Sequence, residues 1–119
     1  MTKQAENEAL LHTYNVLGAG TSVKGSLESN GNLRIDGSFE GTLSIGGKLV
    51  VGGTGSLTGN VSCASAEIEG KVKTEKMQVA GLLSLKSTSV VEGEITIQKL
   101  YIEQGAVFNG QCNMPQERV

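Results

Sequence analysis

The sequence predicts an all-β protein, a three-sided parallel β-helix of about six coils with roughly 17 residues each. Three observations lead there. Apolar residues return in three columns at near-constant steps from Leu17 to Met114. Within the pairs that fill two of these columns the spacing is two, the alternation of a strand with one buried face. Glycine recurs between the columns, at corners where positive φ or close backbone approach is needed. A repeat this short cannot bury an apolar face alone, so each coil must stack on its neighbours.

Residues 1–14 precede the repeat as a polar tail, in which Ala5, Ala9, Leu10 and Leu11 are the only apolar residues near one another. That stretch is too short for a stable isolated helix. The β-helix domain spans residues 15–114. Its first coil brings Leu17, Val23 and Leu27. The second brings Leu33/Ile35, Phe39 and Leu43/Ile45, and the third Leu49/Val51, Leu57 and Val61/Cys63. Ala66/Ile68, Val72 and Met77/Val79 form the fourth; Leu83/Leu85, Val91 and Ile95/Ile97 form the fifth. The sixth carries Leu100/Ile102, Phe108 and Cys112/Met114. The first column steps by 16, 17, 17 and 17 residues from Leu33 to Leu100. Leu100 and Ile102 belong by this pattern to the inward set, with Leu85 at its centre. Pro115 ends strand pairing and leaves residues 115–119 as a short second tail.

One corner column reads Gly37, Gly53, Gly70, Ser87 and Gln104; another reads Gly25, Gly41, Gly59, Thr74, Gly93 and Gly110. On the outer surface Glu69, Lys86 and Glu103 fall in one column and Lys73 and Glu92 in another, so opposite charges are expected to stack. Exposed pairs of this kind contribute ~0.2–1 kcal/mol each.

Composition removes several functions. Aromatic content is 3%, there is no Trp, and the net charge is −2 with both signs interspersed, so the basic face that nucleic acid requires is missing. No apolar run reaches the ~18 residues of a spanning helix and no signal-peptide core follows Met1, which points to a cytoplasmic protein. Cys63 and Cys112 lie three coils apart, roughly 14 Å at ~4.8 Å per coil, too far for a bridge within one chain; both are expected to be buried free thiols. Asn60-Val61-Ser62 matches a glycosylation sequon by chance. Gly18-Ala19-Gly20 lacks the third glycine of a dinucleotide loop, and Leu57 stands where a calcium-binding repeat beginning at Gly52 needs Asp. The one histidine, His12, lies in the first tail. No catalytic residue, cofactor or metal ligand is expected, and the chain is not read as an enzyme.

With the coils aligned, three stretches resemble the bactofilins, bacterial polymer-forming cytoskeletal proteins. These are the entry Asn15-Val16-Leu17-Gly18-Ala19-Gly20-Thr21, the second-coil run from Leu33 to Gly41, and the closing run from Gly105 to Met114. The resemblance implies a right-handed coil and subunits joined end to end, without nucleotide, into non-polar filaments. It also implies a scaffold for cell shape or for localising envelope proteins. Its partners would be other copies of itself, cell-wall enzymes and membrane-associated proteins, at the inner face of the cytoplasmic membrane. The polar opening Met1-Thr2-Lys3-Gln4 departs from the short apolar stretch with which some members touch membrane.

Two alternatives belong to other classes. A left-handed hexapeptide-repeat acyltransferase would need even steps of six and a histidine base at a cleft, whereas the steps from Leu33 to Phe39, Leu43 and Leu49 are six, four and six. A non-polymerising solenoid that binds sugar through Thr42, Ser44, Thr58 and Ser62 would need a stricter ladder and exposed aromatics.

A β-helix exposes unpaired backbone and core at both ends, a template for another chain. The expected polymerisation interface is Phe108 with Val107, Cys112 and Met114 at one end, and Leu17, Val23 and Leu27 at the other. Phe108 as a mere plug of the last coil is the competing role.

Overall fold

A computed structural model describes residues 14–114. These form eight strands: β1 (Tyr14–Leu17), β2 (Ser22–Ser29), β3 (Asn32–Ile35), β4 (Ser38–Val51), β5 (Ser56–Ile68), β6 (Lys71–Leu85), β7 (Val90–Ile102) and β8 (Val107–Asn113). All pair in parallel, in the order β1-β3-β4-β5-β6-β7-β8, with β2 on β4. The chain is a β-solenoid of about six turns.

The registers reproduce the three sequence columns. Val23, Phe39, Leu57, Val72, Val91 and Phe108 are successive partners. So are Leu43, Val61, Met77, Ile95 and Cys112. Leu33, Leu49, Ala66, Leu83 and Leu100 complete the set. Inward residues from neighbouring turns therefore touch along the whole stack and make one core without large rings. Leu49, Val51, Ile68, Leu83, Leu85, Val91 and Ile95 are fully inaccessible to solvent. Val50 departs from the alternation. It sits in an outward column between Arg34 and Glu67, yet is buried.

The glycine column proceeds as the sequence predicts: Gly25, Gly41, Gly59, Thr74, Gly93 and Gly110 are partners turn upon turn. Every glycine of this column has positive φ, from +121° to +150°. The backbones approach so closely that a Cβ on Gly41, Gly59, Gly93 or Gly110 would overlap the carbonyl oxygen of the residue one turn before. Thr74 is the exception and has no positive φ. There the turn takes in an extra residue, Glu75, which has no ladder partner on either side, and the register shifts. This is a β-bulge, and the buried hydroxyl of Thr74 finds no hydrogen-bond partner.

The other corner column needs correction. Corners come in two lengths: Asp36-Gly37 and Glu69-Gly70 have two residues between strands, whereas 18–21, 52–55, 86–89 and 103–106 have four. Each longer corner closes its own turn, as in Gly55 N–H to Gly52 O at 2.8 Å and Ser89 N–H to Lys86 O at 2.9 Å. Main-chain bonds then run from Ser38 to Thr21, Ser56 to Gly37, Lys71 to Gly55 and Val90 to Gly70. The equivalents of Gly37 and Gly70 are thus Gly55 and Ser89, two residues beyond the predicted Gly53 and Ser87. Even spacing had averaged over two corner lengths.

Surface charge follows the columns loosely. Lys86 bridges Glu103 at 3.8 Å as expected, and on its other side Glu67 at 3.5 Å instead of Glu69. Lys73 and Glu92 are in register but do not close an ion pair. Lys24 and Glu40 do, at 3.6 Å. Arg34 is gripped by Asp36 at 3.0 Å, and that hydrogen bond, more than charge alone, raises the guanidinium pKa further.

One of the two cysteines differs from expectation. Cys63 is buried, but Cys112 is exposed, because no further turn covers the last column among the described residues. Burial pushes the Cys63 thiol from 9.0 up to about 12. We expect one fast thiol in a native maleimide or disulfide-exchange assay and a second only after unfolding; two fast thiols would place Cys63 outside the core. The shift also sets a pH window. The neutral buried thiol stabilises the fold fully below pH 9, and that contribution falls as pH rises from 9 toward 12, where only the unfolded thiol ionises.

Candidate functional site: the two ends of the stack

A residue in a middle turn is covered from both sides, whereas an inward residue of a terminal turn is covered from one. Ile102 shows the difference. It continues the column of Ile68 and Leu85, both fully buried, yet is 48% exposed. Leu100 is only half-buried. The sequence expectation that these two lie inside is therefore corrected. They begin the last turn, and the described chain does not return to cover them.

The predicted interface residues fall into two groups at opposite ends. Phe108 and Cys112 occupy inward positions of the last turn, with Val107 on its flank and Met114 just beyond β8. Phe108 is half-buried and packs on the core; Val107 and Met114 are 50% and 47% exposed. Leu17, Val23 and Leu27, in the first turn, are half-buried against the other end of the core. The sequence reading omitted Leu100 and Ile102 at the C-terminal end; Val16 and Tyr101, also exposed in the terminal turns, stand in the outward column of Arg34 and Ser84. A signal existed: each column has its own last member, and the first column ends at Ile102.

The backbone is as open as the side chains. Among the described residues β8 pairs only with β7, β1 only with β3, and β2 only with β4. Each end thus presents an unpaired row of N–H and C=O groups beside exposed apolar atoms, which is what strand addition by a second chain uses.

The flanks offer little chemistry. Shallow depressions of about 200 to 400 Å³ run along them, lined mainly by Ser, Thr, Asn, Gln and Lys. Among the described residues no three His, Cys, Asp or Glu side chains converge as metal ligands would. His12 lies outside the described residues.

Fold and ends together define a β-solenoid rod whose open faces are its two termini. The family model of the bactofilins, described as polymer-forming cytoskeletal, matches residues 15–113, and the chain belongs to that family. It is also similar to bactofilin BacO of Myxococcus xanthus (strain DK1622), with 28% identity over 109 residues, covering 92% of this chain and 86% of that protein. No solved structure matches. The family is a structural, cytoskeletal one, in keeping with the polymer-forming character that its description states.

Proposed function

We propose that this chain is a scaffold subunit that joins end to end, without nucleotide, into filaments. In the cell these would support shape or hold envelope proteins in place at the inner face of the cytoplasmic membrane. The single observation that carries the reading is the exposure of interior-column residues at the terminal turns, above all Ile102 beside half-buried Leu100 and Phe108. Covering such residues against another copy removes apolar surface from water at ~25 cal/mol per Å² and pairs the open backbone row. A contact that engages an end of the rod leaves the opposite end free, so addition continues. Head-to-head alternating with tail-to-tail joining, which makes the filament non-polar, follows the family resemblance. Cell-wall enzymes and membrane-associated proteins are the proposed partners.

Electron microscopy of wild type and Phe108→Arg tests it. Wild type is expected to form filaments. Phe108→Arg, which places a charge at the joint, is expected to give monomers or short oligomers with unchanged β-rich circular dichroism. Unaltered filaments in the variant would remove Phe108 from the joint. A wild type that stays monomeric at high concentration would overturn the scaffold reading.

A further inference from the structure

Two asparagines of this chain are followed by glycine, Asn30 and Asn109, and the fold treats them differently. Asn109 and Gly110 lie within β8, in register with Glu92 and Gly93. Gly110 has φ +150°, and a Cβ there would overlap the Gly93 carbonyl oxygen, so the ladder itself requires glycine. Asn30 and Gly31 instead form the exposed bend between β2 and β3. Gly31 has no positive φ, and a Cβ on it would meet only Ser29 Oγ, at 4.0 Å. The backbone has no steric need of glycine there. The Gly31 N–H donates to that same hydroxyl, at 3.2 Å, rather than to a ladder carbonyl. Hydrogen bonds hold the side chains of Asn15, Asn32 and Asn113, whereas among the described residues none holds that of Asn30. Asn30 lines an open depression of about 400 Å³ with Glu28 and Ser44, where water has free access.

We propose that Asn30-Gly31 is a self-modifying site, at which the chain converts Asn30 to isoaspartate and aspartate without an enzyme. The Gly31 nitrogen loses its proton to solvent and attacks Asn30 Cγ. A C–N bond forms, the Cγ–Nδ2 bond breaks, and that nitrogen takes up a proton and leaves as ammonia. The product is a five-membered succinimide, and water then opens one of its two ring C–N bonds. Cleavage at Cγ restores the normal main chain with an aspartate side chain. Cleavage at the backbone carbonyl routes the main chain through Cβ and Cγ and gives isoaspartate. No electrons are exchanged, and water is the only co-reactant. Ring closure needs the side chain folded back over the next nitrogen. A bend outside the ladder permits that folding, and glycine leaves the nitrogen unhindered. The paired, extended backbone of β8 resists it. Isoaspartate also adds one carbon to the main chain at a closely fitted corner. The following corner rests on this one: Gly47 N–H bonds Gly31 O at 3.1 Å, and a Cβ on Gly46 would stand 3.1 Å from Asn30 O. The longer link therefore loosens the first turn, at one end of the stack.

Incubation of the folded full chain at mildly alkaline pH, followed by tryptic digestion and mass spectrometry, tests this. The peptide 25–34, released by cleavage after Lys24 and Arg34, is expected to gain about 1 Da as ammonia is lost and water gained. Fragmentation should place the gain at Asn30 and not at Asn32, with isoaspartate in excess over aspartate. Asn109 is expected to remain intact over the time that converts half of Asn30. Gly31→Ala, for which the bend has room, is expected to convert roughly tenfold more slowly. Circular dichroism melts check that this variant is folded. Amide hydrogen exchange in β1 and β2 should be faster in aged than in fresh wild type, and unchanged by ageing in Gly31→Ala. An intact Asn30 in the folded chain, under conditions that convert a free peptide of residues 25–34, would overturn the site. So would equal conversion at Asn109. Conversion with unaltered exchange would overturn its effect on the first turn. All of these outcomes are read without assembly, so they leave the filament reading to its own test.

Discussion

Leu85→Asp is expected to leave no folded protein. Leu85 is fully buried, with Ile68 in the turn before and Ile102 in the turn after as its register partners. Removing a buried leucine side chain costs about 2–5 kcal/mol by itself. The carboxylate adds either an unpaired buried charge or the free energy of protonating it. A domain of this size is stable by only about 5–15 kcal/mol. A solenoid also has no second core on which to fall back, since each turn is held by its neighbours. Thermal melts followed by circular dichroism should show no cooperative transition, whereas Ser62→Asp, at an exposed position of the same stack, should melt near wild type. An unchanged transition in Leu85→Asp would mean that the register of the first column is wrong.

Gly59→Ala is expected to cost about 3 kcal/mol or more, although it adds a single methyl group. Gly59 has φ +127°, where an L side chain is strained, and its new Cβ would overlap the carbonyl oxygen of Gly41 and lie 2.8 Å from the carbonyl carbon. The neighbour is backbone and is itself held between two turns, so it cannot move aside. Gly53→Ala is the matched control. It has no atom within 4 Å and no positive φ, so its effect should stay within about 0.5 kcal/mol. Denaturant titration of both variants measures the difference, and equal midpoints would show that the glycine column is not a steric requirement.

These two glycines also mark how far the sequence could be read. The column of Gly59 was legible because each member follows an inward residue by two positions, as Gly41 follows Phe39, Gly59 follows Leu57 and Gly93 follows Val91, so its uneven steps do not hide it. The column of Gly53 was not. Two-residue and four-residue corners are mixed there, and an average step near 17 slides between them. The apolar columns were legible for the reason the fold exists: each inward residue must meet another. The same logic misplaced Leu100 and Ile102, since a periodic pattern states which side faces in but not whether a further turn lies above. The candidate ends were found in outline, through Phe108 and Leu17. The exposure of Ile102 was not found, because it is a property of the stack rather than of the residue.

The bulge at Thr74-Glu75 differs from the long corners in one consequence. Corners 52–55 and 86–89 absorb two additional residues within their own turns, and the ladders on either side resume in register. The bulge absorbs one residue inside a strand, and it leaves a hydroxyl without a partner and Glu75 without a ladder neighbour. Length is thus cheap at one edge of the rod and costly at another. An insertion, such as a fluorescent domain or a peptide tag, belongs at Gly53-Thr54 or Ser87-Thr88, exposed positions in the middle of the rod. From there it would project sideways at every subunit and leave both ends clear, decorating an assembly without interrupting it.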